Sequence, residues 1–494
     1  MHSLSRRENL EHAAHGHHHR TVRAAMTPTE GLPPDDASAA DASAAEAPAG
    51  AVAAGALPRD SAARMRRDTV LTVAVQAGNL LAGLVLNVVV AHTLTTEWVA
   101  AVSWALTAAM FLSAVGSVGT FGAAVPLIRS RPQTEWSQTF VRLLAAGTGA
   151  SVVCAALWWA VIGPWLGQHS GDEYRRLVPL VAVWIPIGAA ASVTEAGARA
   201  MGRFGTSTTL AGDWVRRLAV MAAVVAFAHL GSGWSLPASL LLATVAEVVA
   251  LAIAAWRLGT RPAGTPDGPG GGVADATRRA VVFLPGTVAA LTVPQAGVWL
   301  LAVVSTPTQV ARLTFAYRLS SLLALSAFAA GRVLAPRIAG ARDLRALQPV
   351  MRGVTGITTA LSLIVFGGLA VLGSPLLGVA FGNQYRPAYA AMLVMAIGPL
   401  ATVATGFSGM CLTHRGHARV VAAISMTAIV AFGAGTLAFG HRFGALGVAT
   451  VSSAVLVTMN LVMALAVRRR LGVNTLPAFG RRAWRDAVSA LPAR

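Results

Sequence analysis

The sequence predicts an all-α polytopic membrane protein, with about twelve transmembrane helices in two six-helix bundles. Three observations predict it. The 494 residues are 55% hydrophobic and only 12% charged, with a mean hydropathy of +0.61, whereas a soluble fold of this size leaves far more charge on its surface. Apolar runs of about 20 residues recur along the chain, the length that a bilayer demands of a spanning helix. A polar Gly/Pro-rich break from Arg257 to Arg279 divides two apolar regions, and their punctuation corresponds at an offset of about 210 residues. Pro126 in VPLIR answers Pro336 in LAPRI, Gly202 answers Gly416, and Arg257 answers Arg468 to Arg470.

Five segments follow: a tail over 1–66, a first bundle over 67–257, a linker over 258–278, a second bundle over 279–470 and a basic tail over 471–494. The first tail is rich in Ala, Asp, Pro and His and has no apolar run able to act as a signal-peptide core, so it is expected to be disordered and cytoplasmic. Its cluster of His15, His17, His18 and His19 has the chemistry to capture a transition metal but no fixed geometry, and no metal site is assigned to it. Met65, followed by Arg66 and Arg67, offers an alternative start to Met1.

The first bundle contains apolar runs near 69–91, 99–118, 140–166, 177–193, 218–230 with a short upstream extension, and 236–256. The second contains runs near 280–304, 310–334, 353–381, 388–412, 420–439 and 445–467. Between them the linker carries too little apolar surface to fold alone, and it is expected to be mobile and hydrated.

Net charge is +19, and all 39 basic residues are arginines. They gather in alternate loops: Arg64, Arg66 and Arg67; Arg129 and Arg131; Arg199, Arg203, Arg216 and Arg217; the linker; Arg332 to Arg352; Arg415 and Arg419; Arg468 to Arg470. The intervening loops hold only Arg175, Arg176, Arg312, Arg386 and Arg442. The positive-inside rule accounts for this pattern without a nucleic-acid partner and places both termini in the cytoplasm. Cys154 and Cys411 both lie inside apolar runs, where they act as small hydrophobes and imply no disulfide. Beyond the last run, Phe479 to Leu491 puts Trp484, Val488 and Leu491 on one helical face, which suits either a short helix on the inner leaflet or a frayed tail.

The external loops are short, and Gly171-Asp172-Glu173 is the most acidic of them. They leave no room for a folded catalytic domain, which counts against a sugar polymerase or a glycosyltransferase. Transport is expected instead, with no enzymatic turnover and no cofactor.

A carrier needs a polar surface within the membrane, and two helical rows supply one. In the first span Thr72, Gln76, Asn79, Gly83 and Asn87 share a face, and amides facing lipid would have no partners. The row lines a cavity or bonds to neighbouring helices. In the eighth span Thr314, Tyr317, Arg318 and Ser321 share a face. A central arginine costs about 2.5–3.5 kcal/mol on insertion scales, so Arg318 either meets a cavity, carboxylate or anionic ligand, or snorkels to the outer interface. Glu247, at mid-depth in the sixth span, is the acidic counterpart. It binds a coupling proton, pairs with Arg318, or sits protonated as a structural donor. Glu195 with Arg199, and Asp213 beside Arg216 and Arg217, have the spacing of local ion pairs near the cytoplasm.

These residues carry a resemblance. NLLAGLVLNVVVAHTL in the first span, SVGTFGAAVPLIR closing the second, RAMGRFG after the fourth, VARLTFAYRLSSLL opening the eighth and VLAPRIAGAR closing it resemble the bacterial polysaccharide or oligosaccharide-lipid flippases (Wzx-like). These belong to the multidrug/oligosaccharidyl-lipid/polysaccharide exporter superfamily. The resemblance implies a V-shaped alternating-access carrier whose cationic cavity receives the pyrophosphate and sugar head of a polyprenyl-linked oligosaccharide. The seventh span departs from the family pattern in offering only Gln295 as a long polar group, and the first lacks the carboxylate typical of many drug exporters.

The expected function is thus translocation of a polyprenyl-linked oligosaccharide across the bacterial cytoplasmic membrane for cell-surface or exopolysaccharide biosynthesis. Gln76, Asn79, Asn87, Thr314, Tyr317, Arg318 and Ser321 are the expected cavity residues, and Glu247 is the candidate for coupling. The expected partners are the lipid-linked oligosaccharide and the bilayer, with polysaccharide glycosyltransferases or a polymerase as further candidates. The alternatives are a cation-coupled exporter of small amphipathic or cationic compounds, which needs an acidic site, and a non-transporting scaffold, which needs neither polar row.

Overall fold

Each apolar run that falls in the described part of the chain is helical. The computed structural model describes residue 78 and residues 81–129, 131–165, 171–201, 213–230, 235–259, 273–281, 284–341 and 343–480. Among them there is no β-strand. The first tail, with its histidine cluster, and the segment 481–494 lie outside the described residues.

The first half consists of α1 (Leu81–Thr93), α2 (Thr96–Gly116), α3 (Thr120–Arg129), α4 (Trp136–Leu157), α5 (Asp172–Ala200), α6 (Asp213–Leu230) and α7 (Leu236–Gly259). A π turn over Trp158–Ile162 prolongs α4, and Pro179 and Pro186 lie inside α5. Helix α8 (Val273–Val281) and α9 (Leu284–Val304) lead into the second half. There α10 (Pro307–Ser320) passes through a 3-10 turn at Ser321–Ala324 into α11 (Leu325–Gly340). Then come α12 (Leu344–Phe381), α13 (Tyr389–Ala404), α14 (Ser408–His414) and α15 (Ala418–Leu471).

Local chemistry sets several boundaries. Pro307 occupies the first turn of α10, where its missing N–H costs nothing. The Asp343 carboxylate caps α12 by accepting the Arg345 N–H at 2.9 Å. Gly382 and Gly472, both with positive φ, end α12 and α15. Inside α15 the backbone breaks at Gly444 (φ 55°, ψ −134°), which falls between the two apolar runs read from the sequence.

Seven helical stretches among the described residues are long and apolar enough to cross a membrane: Thr96–Gly116, Gln133–Trp165, Asp172–Ala200, Leu236–Gly259, Leu344–Phe381, Asn383–Ala404 and Ala418–Leu471. Helix α2 is central. Its alanines at 100, 101, 105, 108 and 109 are buried, and their small side chains let α5 pack on one flank and α9 and α10 of the second half on another. Residues from both halves share one core, with Val99 and Trp104 in the same cluster as Leu313 and Phe315.

Two stretches differ from their sequence reading. Part of the expected mobile linker is ordered, because Val273–Val281 forms α8 and packs on α3 and α4. The approach is close: a Cβ on Gly119 (φ 77°) would stand 2.2 Å from the Ala280 carbonyl oxygen. VADATRRAV separates an apolar side from a polar one on a helix, which is enough to dock a short segment. The basic tail likewise begins as an extended strap over 472–479. Val473 and Thr475 are buried in it. Thr475 donates to the Thr405 carbonyl at 2.8 Å, Asn474 N–H to Gln348 at 2.9 Å, and Ala478 N–H to the Arg352 carbonyl at 3.1 Å.

Candidate functional site

Helices α6 and α7 pack together as a hairpin, and α6 starts at Asp213, five residues before the apolar run alone suggests. That extra turn carries Arg216 and Arg217 onto the helix. Arg216 is 8% exposed and Glu247 of α7 is 6% exposed. Arg216 Nε donates to both carboxylate oxygens, at 2.9 and 3.0 Å, while Nη2 donates to Oε1 at 2.6 Å. A two-pronged contact of this kind compensates two charges removed from water far better than a single bond does. Glu247 lies eleven residues into α7, roughly 16 Å along its axis and so about half the thickness of a hydrocarbon core.

Arg217 points to α1. Its guanidinium occupies the space beside Gly83, where a Cβ would stand 1.9 Å from Nη1, so the glycine makes room for the cation. One turn further on, Asn87 is buried and its amide donates to the Gly83 carbonyl. From the second half comes Arg318, near the C-terminal end of α10, with its guanidinium carbon 5.9 Å from the centre of the Tyr317 ring and so in cation–π range.

These groups meet. Gly83 and Asn87 of α1, Leu106 and Met110 of α2, Arg216 and Arg217 of α6, and Arg318 of α10 enclose a cavity of about 20 Å³, room for about one water. Its described lining holds three guanidinium groups and no carboxylate. Glu247 stands behind Arg216 and offsets one of the three charges. Cations set in apolar walls focus a positive potential, so the arrangement can hold an anion.

The expected residues fall in different places. Asn87 and Arg318 line the cavity, whereas Gln76 and Asn79 lie outside the described residues. Thr314 is buried and donates to the Val310 carbonyl at 3.0 Å, and Ser321 donates to the Arg318 carbonyl at 2.8 Å, so both hydroxyls serve their own helix. Tyr317 is half-buried beside Arg318. The carboxylate of Glu247 meets Arg216 and not Arg318, because the longer α6 brings Arg216 opposite it. Glu195 and Arg199 do form their local pair, at 3.6 Å.

Arg216 and Arg217 are not among the residues that the polar rows point to, because they sit at the edge of an apolar run, where arginines read as a loop flank. The signal that could have found them is Glu247 itself, a mid-membrane carboxylate that needs a cation on the adjoining span.

The model of a family described as polysaccharide biosynthesis protein matches residues 65–341, more than half of the chain. The chain belongs to that family. It is the family expected from the motifs of the first and eighth spans. Among curated proteins, no sequence matches.

This polysaccharide biosynthesis family member is similar in structure to an inward-facing multidrug resistance MATE family transporter of the MOP superfamily. The identity is 14% over 81% of this chain and 98% of that one, with a TM-score of 0.59. It is similar also to the lipid II flippase MurJ in an inward closed conformation, at 12% identity over 85% and 91% with a TM-score of 0.61. A third is the MATE multidrug transporter DinF-BH in complex with R6G, at 15% identity over 85% and 96% with a TM-score of 0.60. At these identities the likeness establishes the fold.

Proposed function

We propose that this protein is a flippase that moves a polyprenyl-linked oligosaccharide across the cytoplasmic membrane for cell-surface or exopolysaccharide assembly. One observation carries the reading. Arginines from both halves converge on one cavity, Arg216 and Arg217 from α6 and Arg318 from α10, with one carboxylate behind them. Three guanidinium groups in one lining suit a phosphate-linked head, which such groups bind in two-pronged fashion. Asn87 adds an amide of the kind that binds sugar hydroxyls, while the polyprenyl chain stays in lipid.

In this reading twelve spans form two six-helix bundles with both termini in the cytoplasm, and rocking of the bundles exposes the cavity to each side in turn. A cavity of about 20 Å³ is an occluded stage of that cycle, because a glycan head needs far more room. The geometry disfavours the cation-exporter alternative, since Glu247, the acidic candidate, is held by Arg216.

The test is genetic and chemical. In a strain lacking the gene, polyprenyl-linked repeat units should accumulate facing the cytoplasm while surface polymer is lost. The intact gene should restore the polymer, and Arg318→Gln at equal expression should not. Unchanged glycolipids, together with new sensitivity to cationic dyes, would sink this reading in favour of drug export.

A further inference from the structure

A larger hollow lies away from the cavity, on the outer flank of the first half. It is an open groove of about 800 Å³ between the C-terminal end of α4, the N-terminal half of α5 and the start of α7. Its walls are apolar, with Ala155, Trp159, Pro179, Pro186 and Leu241 among them, and Arg176 stands at one end. Sequence and local structure together explain the hollow. Ala155 and Ala156 line α4, and Pro179 and Pro186 occupy α5 where longer side chains would fill the space.

We propose that this groove binds one acyl chain of an anionic phospholipid, with the lipid phosphate on Arg176. Three features of the groove select this occupant. The first is charge: Arg175 pairs with Asp172 at 3.7 Å, whereas the neighbouring Arg176 is exposed and makes no ion pair among the described residues. The second is position: exposed Trp159 and Trp165 lie toward the same end as Arg176, and tryptophans of this kind mark the level of the headgroups. The third is length: from Arg176 to Ile187 α5 runs eleven residues, roughly 16 Å, about one leaflet of a hydrocarbon core of about 30 Å. A groove with its cation at the interface and its floor at mid-membrane matches a phospholipid chain, whereas a polyprenyl chain would extend beyond it.

The site is separate from the cavity, so the inference does not depend on the substrate proposed above. The full-length protein would be placed in nanodiscs of equal phosphatidylglycerol and phosphatidylcholine with a trace of polyprenyl phosphate. Lipids retained on release would then be identified by native mass spectrometry. Phosphatidylglycerol should be retained about fivefold over phosphatidylcholine, and Arg176→Gln, at an exposed position that leaves folding intact, should bring the ratio to about one. Ala155→Leu, which fills the groove without touching Arg176, should lower the number of retained lipids by one. Equal retention of phosphatidylglycerol by wild type and Arg176→Gln would overturn the proposal. So would preferential retention of polyprenyl phosphate.

Discussion

The guanidinium of Arg216 grips the carboxylate of Glu247 through three hydrogen bonds of 2.6–3.0 Å, joining α6 to α7 inside the first half. Neither residue tolerates losing the other, because a buried charge without its counterion is far more costly than no charge at all. Glu247→Ala is therefore expected to destabilise the protein by about 3–5 kcal/mol, and Arg216→Met/Glu247→Leu to recover most of that loss. Denaturation of the detergent-solubilised variants measures both. Additive losses in the double variant would mean that the pair is not a unit.

Gly83 is expected to matter for transport rather than for stability. An alanine there collides with Arg217 Nη1, the far end of a flexible side chain that can swing away at small cost. Gly83→Ala should thus fold with a melting temperature close to wild type while losing most complementation. Combined with Arg217→Ala it should be no worse than Arg217→Ala alone. Equal activity of Gly83→Ala and wild type would separate Arg217 from the transport step.

These two sites mark how far the sequence was legible. Helices are written in apolar runs, and one-sided polar rows led to Asn87 and Arg318 without any coordinates. Hydroxyl rows are harder to read, because Thr314 and Ser321 donate to carbonyls of their own helix and spacing cannot reveal that choice. The start of α6 was hidden for a different reason. Arginine next to an apolar run reads as a cytoplasmic flank, and only the partner carboxylate on α7 turns it into a buried cation.

Gly444 takes a conformation (φ 55°, ψ −134°) that L side chains rarely adopt, and the next N–H donates to Gln309 Oε1 at 3.1 Å. Gly444→Ala should cost about 1–3 kcal/mol from the backbone, more where the new methyl presses on Gln309. Gln309→Ala removes only the hydrogen bond and should cost about 0.5–1.5 kcal/mol. Thermal unfolding of the two variants distinguishes strain from a lost bond.

His414, beyond the apolar part of α13 and α14, has an exposed surface, yet the part of its ring that is shielded from water pushes its imidazole below the usual 6.5. The unfolded chain therefore takes up the proton first as pH falls. Stability carried by neutral His414 is complete above about pH 6.5 and is lost progressively below it. Comparing melting temperatures at pH 7.5 and 5.5, the fall should be smaller for His414→Gln than for wild type. An identical fall would place the sensitivity elsewhere.

The strap over 472–479 also dictates an order of events at the translocon. It bonds to residues of α12 and to Thr405, more than sixty positions upstream, and it leaves the ribosome after every helix that it fastens. Helices α12 to α15 can insert one by one, but the end of this half that the strap covers stays unfinished until Val473 and Thr475 arrive. Until then Gly356, whose surface is covered by the Ala478 carbonyl, stands open to water. A quality-control protease that samples membrane proteins from that face would find its opening there, during the interval between insertion and fastening.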